Sequence, residues 1–192
     1  MNILQFNLEC VSILKDININ DGLYNYYDDR IQNNCILNSD DELLINYFKE
    51  NVKKQEKILE IAAGLGQTSH FLNKNKYNNI VINECEIKRY NLCKLLNENL
   101  KNNCKNIKDK YQNINLQDYN IIFTLDAVSS HTGRLEDIAL FESCLKNRTK
   151  IILKEGFFGR TDDTSFTDEL KKKYKYKYLS NYEKNNIIIF FY

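Results

Sequence analysis

The sequence predicts an α/β fold: a doubly wound, largely parallel sheet with helices on both faces, preceded by an N-terminal helical segment. Two observations carry this. Short apolar runs recur along the chain, and helical patterns separate them. A third supports it: a small-residue turn directly follows the first run, where a strand passes into a helix. The runs are "KILEI" at 57–61, "NIVIN" at 79–83, "YNIIFTL" at 119–125, "TKIILKE" at 149–155 and "NNIIIFFY" at 185–192. Continuous apolar runs fit strands covered on both faces, as strands of a parallel sheet are.

The helices follow in order. "SDDELLINYFKENV", at 39–52, has Ser39 as its expected N-cap, acids in its first turn, and Leu43, Leu44, Tyr47 and Phe48 on one stripe. "QTSHFLNK" follows the first run. "KRYNLCKLLNENL" follows the second, with Leu92, Leu95, Leu96 and Leu100 at helical spacing. "RLEDIALFESCLKN" lies between the "YNIIFTL" and "TKIILKE" runs, and "TSFTDELKKK" follows the latter. No repeat, Pro-rich linker or charge block divides the chain. Its 192 residues suit one domain. The expected organisation is a helical or lid segment over 1–50 and the sheet domain over 51–192.

Composition excludes several function classes. The formal net charge is +1, so no global field draws the chain to nucleic acid or to a membrane, and a local basic patch stays open. No apolar run is long enough to cross a bilayer, and the N-terminus lacks the basic region and cleavage site of a signal peptide. The six cysteines, Cys10, Cys35, Cys85, Cys93, Cys104 and Cys144, form no C-x-x-C pair, and only His70 and His131 accompany them. No metal site is expected. Free thiols in a reducing cytoplasm or nucleus are. Heavy use of Asn, Ile, Lys and Tyr without Pro or Trp fits an AT-rich codon bias. "KKKYKYKY", at 171–178, has the look of a nucleic-acid groove. A solvated helix end entering a strand, with Tyr alternating inward, is the favoured reading.

The turn is "LEIAAGLGQ". Its strand ends near Ile61, and Ala62, Ala63, Gly64, Leu65 and Gly66 form the corner. Small residues let a backbone approach a ligand closely, and the helix beyond offers N–H groups and a positive dipole end. Glu84 closes the second run eighteen residues beyond Gly66. A nucleoside-binding sheet places a carboxylate for ribose hydroxyls about there.

Strand, small-residue turn, helix, strand and terminal acid together resemble the class I S-adenosylmethionine-dependent methyltransferases. Their turn reads E/D-x-G-x-G-x-G, and "EIAAGLG" departs from it at Ala62, a methyl group tolerable at negative φ. The resemblance implies a Rossmann-like sheet closed by a C-terminal antiparallel hairpin, which "YKYLSNYEKNNIIIFFY" supplies. Within that class the chain is most similar to the alpha-N-terminal protein methyltransferases, over roughly 57–192. Ala62-Ala63-Gly64-Leu65-Gly66-Gln67 matches G-A-G-I-G-R, and Leu116-Gln117-Asp118-Tyr119 matches L-Q-D-F. Ser130-His131-Thr132-Gly133 loosely matches G-H-L-T/S-D. Lys154-Glu155-Gly156 matches K-E/D-N, and the stretch from Asp163 to Asp168 matches D-S-S-x-T-R. Gln67 stands where that family has Arg, and Gly156 where it has Asn.

The resemblance implies S-adenosylmethionine as cofactor and a protein or peptide N-terminus as substrate, without membrane or metal. Its implied cofactor residues are Ala62, Gly64, Gly66, Gln67, Thr68, Glu84, Cys85, Leu116, Gln117 and Asp126. Its implied substrate residues are Tyr27, Gly156 and Asp162. His131 and Asp163 are the implied catalytic pair. An α-amine is mostly protonated at neutral pH, so a carboxylate that attracts the cation beside an imidazole that takes its proton suits the chemistry. Capping roles are the plainer alternatives for His131, Asp162 and Asp163. His70 reads as a packing or surface residue.

Two other functions stay open. "LDAVSSHTGRL" and "AAGLGQTSH" also resemble stretches of RNA cytosine-5 methyltransferases. That chemistry needs a Cys nucleophile, and Ser129 stands in its place. A catalytically degenerate methyltransferase-fold subunit is the third reading.

Overall fold

The computed structural model describes residues 1–16, 25–125, 137–154, 165–179 and 186–192. Three helices come first: α1 (Ile3–Asp16), α2 (Asn25–Gln32) and α3 (Ser39–Asn51). Then strands and helices alternate: β1 (Ile58–Glu60), α4 (Gln67–Lys74), β2 (Ile80–Asn83), α5 (Ile87–Asn99) and β3 (Lys105–Ile107). The chain continues through β4 (Ile121–Thr124), α6 (Ile138–Lys146), β5 (Lys150–Lys154), α7 (Ser165–Lys173), β6 (Lys175–Tyr178) and β7 (Ile187–Phe191).

The seven strands form one sheet in the order β3-β2-β1-β4-β5-β7-β6. Strands β1 to β5 pair in parallel, and β7 runs antiparallel to both β5 and β6. This is the doubly wound sheet with terminal hairpin that the alternation and the turn predict. The order reverses after β1, at the switch point where ligands bind in such sheets.

Period-two alternation assigns the side chains to two cores. Ile58, Ile121, Phe123, Ile152, Ile187 and Ile189 face the first, with Phe6 and Leu14 of α1 and Leu44, Ile45 and Phe48 of α3. Leu59, Ile122, Ile151, Leu153, Ile188 and Phe190 face the second, with Phe141, Leu145, Phe166 and Leu170 of α6 and α7. The strands need apolar residues on both faces because helices cover both. Phe48 shows how firmly α3 is seated. Its fully buried ring meets Phe123 edge-on at 5.6 Å, and its carbonyl accepts from the Tyr77 hydroxyl at 2.8 Å. Burying such a ring contributes about 1.5–3 kcal/mol.

Two local expectations need correction. The N-cap of α3 is Asn38, not Ser39: Asn38 Oδ1 accepts from Asp41 N at 2.9 Å, and Asp41 Oδ2 accepts from Asn38 N at 2.8 Å. A reciprocal box satisfies two backbone donors, and Asn with Asp three residues on completes it. Along β6, Tyr176 and Tyr178 do not turn inward. They are 41% and 42% exposed, because β6 is the last strand of the sheet. Among the described residues, no helix is long and apolar enough to cross a membrane.

Candidate functional site

The turn after β1 is tied to both neighbouring strands. Ile61 N donates to Phe123 O at 3.0 Å, on the β4 side, and Ala63 N donates to Asn83 O at 3.0 Å, at the end of β2. Between these ties the backbone turns left-handed at alternate residues: Ala62 has φ +51°, Gly64 +58° and Gly66 +65°. The two glycines have a second reason to be glycine. A Cβ on Gly64 would stand 2.5 Å from the Tyr27 hydroxyl, and one on Gly66 3.0 Å from Cys93 Sγ and 3.1 Å from Ile82.

Ala62 corrects the sequence reading, which tolerated its methyl at negative φ. The turn requires positive φ there, where a Cβ crowds the following carbonyl and costs about 1–2 kcal/mol. Hydrogen bonds from both neighbours hold the corner in that shape regardless.

Glu84 braces the turn. Its Oε2 accepts from Gly64 N at 2.8 Å and its Oε1 from Glu86 N at 2.9 Å, while the residue is 3% exposed. Glu86 in turn caps α5 by accepting from Lys88 N and Arg89 N. Cys85, between them, is exposed.

A further acid belongs to the site, and the sequence reading passed over it. Asp41, buried in the first turn of α3, accepts from the Thr68 hydroxyl and from Gln67 Nε2 at 3.3 Å. Arg30 of α2 lies 4.0 Å from its other oxygen. Asp41 therefore fastens the N-terminal helices to the start of α4. The available signal was its place as the third residue of a capping box. Next to it, Asp40 pairs with Lys154, the last residue of β5, at 2.6 Å. Tyr27 and Arg30 lie three apart on α2, so one face of that helix reaches both the glycine turn and Asp41.

Two buried polar atoms near this edge lack a hydrogen-bond partner among the described residues: Gln67 Oε1 and Thr124 Oγ1. Buried polar atoms are ordinarily satisfied, so each marks a place for a polar group from outside. Gln67 and Thr68 begin α4, and Thr124 ends β4. Glu60, Thr124 and Lys154 end parallel strands on the same edge.

Not every predicted residue gathers here. Leu116 is buried in the second core, and Gln117 is exposed and donates to Ser143 Oγ on α6. Neither is hydrogen-bonded to the turn among the described residues. Asp126, His131, Gly156, Asp162 and Asp163 lie outside the described residues.

His70 and four of the cysteines lie in the packed interior. His70 is fully buried: Nδ1 accepts from Asn102 Nδ2 at 3.3 Å, and Nε2 donates to Cys93 O at 3.2 Å. Burial lowers its pKa to about 4, so it stays neutral. Burial raises the thiols of Cys10 and Cys104 to about 12 and that of Cys144 to about 11, and pushes Cys93 well up. These four are poor nucleophiles. Among the described residues, no cluster of His, Cys, Asp or Glu is arranged to hold a metal ion.

No protein-family model matches the chain, and no curated protein matches it by sequence. Solved structures do match. Magnesium protoporphyrin IX methyltransferase from Synechocystis PCC 6803, crystallised with bound S-adenosylmethionine, superposes with a TM-score of 0.65 at 12% identity, covering 95% of this chain and 97% of that one. Precorrin-6y C5,15-methyltransferase from Geobacter metallireducens gives 0.59 at 15% identity, covering 82% and 92%. The tRNA (uracil-54, C5)-methyltransferase of Pyrococcus abyssi, in complex with S-adenosyl-L-homocysteine, gives 0.55 at 12%, covering 79% and 37%. The fold is the Rossmann-like fold of class I methyltransferases. At such identities the likeness establishes the fold alone.

Proposed function

We propose that this chain is an S-adenosylmethionine-dependent methyltransferase whose acceptor is the free α-amino group of a protein N-terminus. The observation that carries the cofactor reading is the glycine corner at the switch point, with Gly64 and Gly66 left-handed and Glu84 buried beside it. The unpartnered Gln67 Oε1 and Thr124 Oγ1 fit the same reading, since the cofactor's methionyl and nucleoside parts both bring donors. Bound there, the cofactor supplies an electrophilic methyl group on a sulfonium.

The chain's own residues have three tasks. Gly64 and Gly66 admit the ligand close to the backbone, and Glu84 fixes the corner's shape. Tyr27 closes the turn from α2. His131 and Asp163, matched by sequence to the family's catalytic pair, serve the acceptor: the carboxylate attracts the ammonium and the imidazole removes its proton. An α-amine titrates at about 7.7–8.0, so this proton transfer is needed at neutral pH.

The test uses the purified chain, S-adenosylmethionine and a peptide beginning Ser-Pro-Lys-Arg, followed by mass spectrometry, with the N-acetylated peptide as control. The expected result is mass gain in methyl steps on the free peptide alone, abolished by His131→Asn and by Asp163→Asn. Calorimetry of cofactor binding separates the failures. Cofactor binding without transfer overturns the α-amine assignment. Loss of both leaves a degenerate methyltransferase-fold subunit as the better account.

A further inference from the structure

The basic, aromatic stretch before the last strand is not used by the reading above. Among the described residues, the exposed aromatic side chains are Tyr176, Tyr178 and Tyr192, and all three lie at the β6–β7 end of the sheet. Tyr176 and Tyr178 share one face of β6. Their rings meet edge-on at 5.6 Å, Tyr176 tilts over Phe190, and the Lys171 ammonium stands 5.6 Å from the Tyr178 centroid. Lys171, Lys172 and Lys173 are each paired with a carboxylate, of Asp168, Glu169 and Glu142. Lys175 and Lys177, on the other face of β6, are paired with none among the described residues. Lys177 instead stands over the Tyr47 ring at 4.9 Å.

Outward aromatic rings are costly to leave in water, and Lys175 and Lys177, which hold no carboxylate among the described residues, alternate with them along the strand and project from its other face. Lysines on an edge strand discourage the addition of a further strand, which argues against a peptide pairing along β6. An open edge with rings on one face and cations on the other suits a polyanion with flat bases that straddles it: bases stack on the rings, and phosphates meet the ammonium groups across the edge. Duplexes keep their bases stacked internally, so a single strand is the form that fits.

We propose that the outer edge of β6 binds single-stranded nucleic acid, with Tyr176 and Tyr178 stacking bases and Lys175 and Lys177 meeting phosphates. The register places this surface relative to the turn. Tyr178 pairs with Ile188, Ile188 with Leu153, and Leu153 with Thr124, so Tyr178 is level with the end of β4. Four interstrand steps separate β6 from β1, about 19 Å. A bound strand leaving Tyr178 therefore emerges at the edge that carries the glycine turn.

Fluorescence anisotropy of a labelled single-stranded RNA on the full chain, over salt from about 50 to 200 mM, tests this. The same sequence as a duplex and a labelled acidic peptide are the controls. The single strand is expected to bind more tightly than either. Tyr176→Ala and Tyr178→Ala should each weaken it about five- to hundredfold with the salt slope unchanged. Lys175→Gln with Lys177→Gln should lower the slope of log affinity on log salt by about 1.4. These residues are exposed, and circular dichroism verifies that each variant is folded. No binding, binding indifferent to all four substitutions, or tighter binding of the duplex or the peptide overturns the proposal. Neither cofactor nor acceptor is present, so this result stands or falls apart from the methyl-transfer experiment.

Discussion

The glycine corner and the β6 edge lie on one sheet and treat charge in opposite ways. At the corner, Asp41 and Glu84 are 1% and 3% exposed, and their oxygens accept from backbone or side-chain donors. At the edge, Lys175 and Lys177 are exposed and hold no carboxylate among the described residues. A buried charge must be satisfied where it lies, so it specifies shape. An exposed charge is worth little to stability and remains available to a partner. The two regions should therefore respond differently to the same kind of change.

The largest effect is expected at Asp41. Asp41→Ala leaves Thr68, Gln67, the Asn38 N–H and Arg30 without their shared acceptor, and should cost about 3–5 kcal/mol in denaturant unfolding. A loss below 1 kcal/mol would erase the contrast with the edge.

Acid provides the next test, on the helix that leaves the corner. The His70 pKa falls from its ordinary 6.5 to about 4 on folding, because burial disfavours the charged ring. The unfolded chain thus takes up a proton that the folded chain refuses. Its contribution is whole above about pH 6.5 and is lost as pH falls toward 4, a total of about 3 kcal/mol. Unfolding at pH 7.5 and pH 5, compared with His70→Gln, isolates this slope.

A smaller change sharpens the contrast in the other direction. Ala62→Gly relieves the left-handed methyl and should stabilise the fold by about 0.5–1 kcal/mol after glycine's greater entropy loss. Thermal unfolding reads this as a rise in Tm. Smallest of all, Lys175→Gln and Lys177→Gln should each move stability by less than about 0.5 kcal/mol. A larger shift would mean that these lysines serve the fold.

What the sequence disclosed follows the range of each interaction. The five apolar runs contain β1, β2, β4, β5 and β7, because burial on both faces writes itself into consecutive residues. β3 was not foreseen: Lys105–Ile107 is short, lies at the sheet edge and is only partly buried. α1 was also not picked out, although Phe6, Cys10, Val11 and Leu14 recur at helical spacing and are buried. At the site, the glycines and Glu84 lie within one strand–turn–helix–strand unit and were legible. The bonds of Asp41 to Gln67 and Thr68 join residues more than twenty positions apart, and no local pattern encodes that pairing. Leu116 and Gln117 show how packing escapes a motif: the motif is silent on the side chains, of which one enters the second core and the other donates to Ser143.

Glu84 has a consequence beyond bracing. One carboxylate holds the amide proton of Gly64 with one oxygen and that of Glu86 with the other. Those protons sit in separate loops, yet neither oxygen can swing away without disturbing its twin. Exchange with deuterium should therefore slow or quicken at both amides together, so that occupancy of the corner can be timed at the head of α5, on a residue no ligand needs to touch.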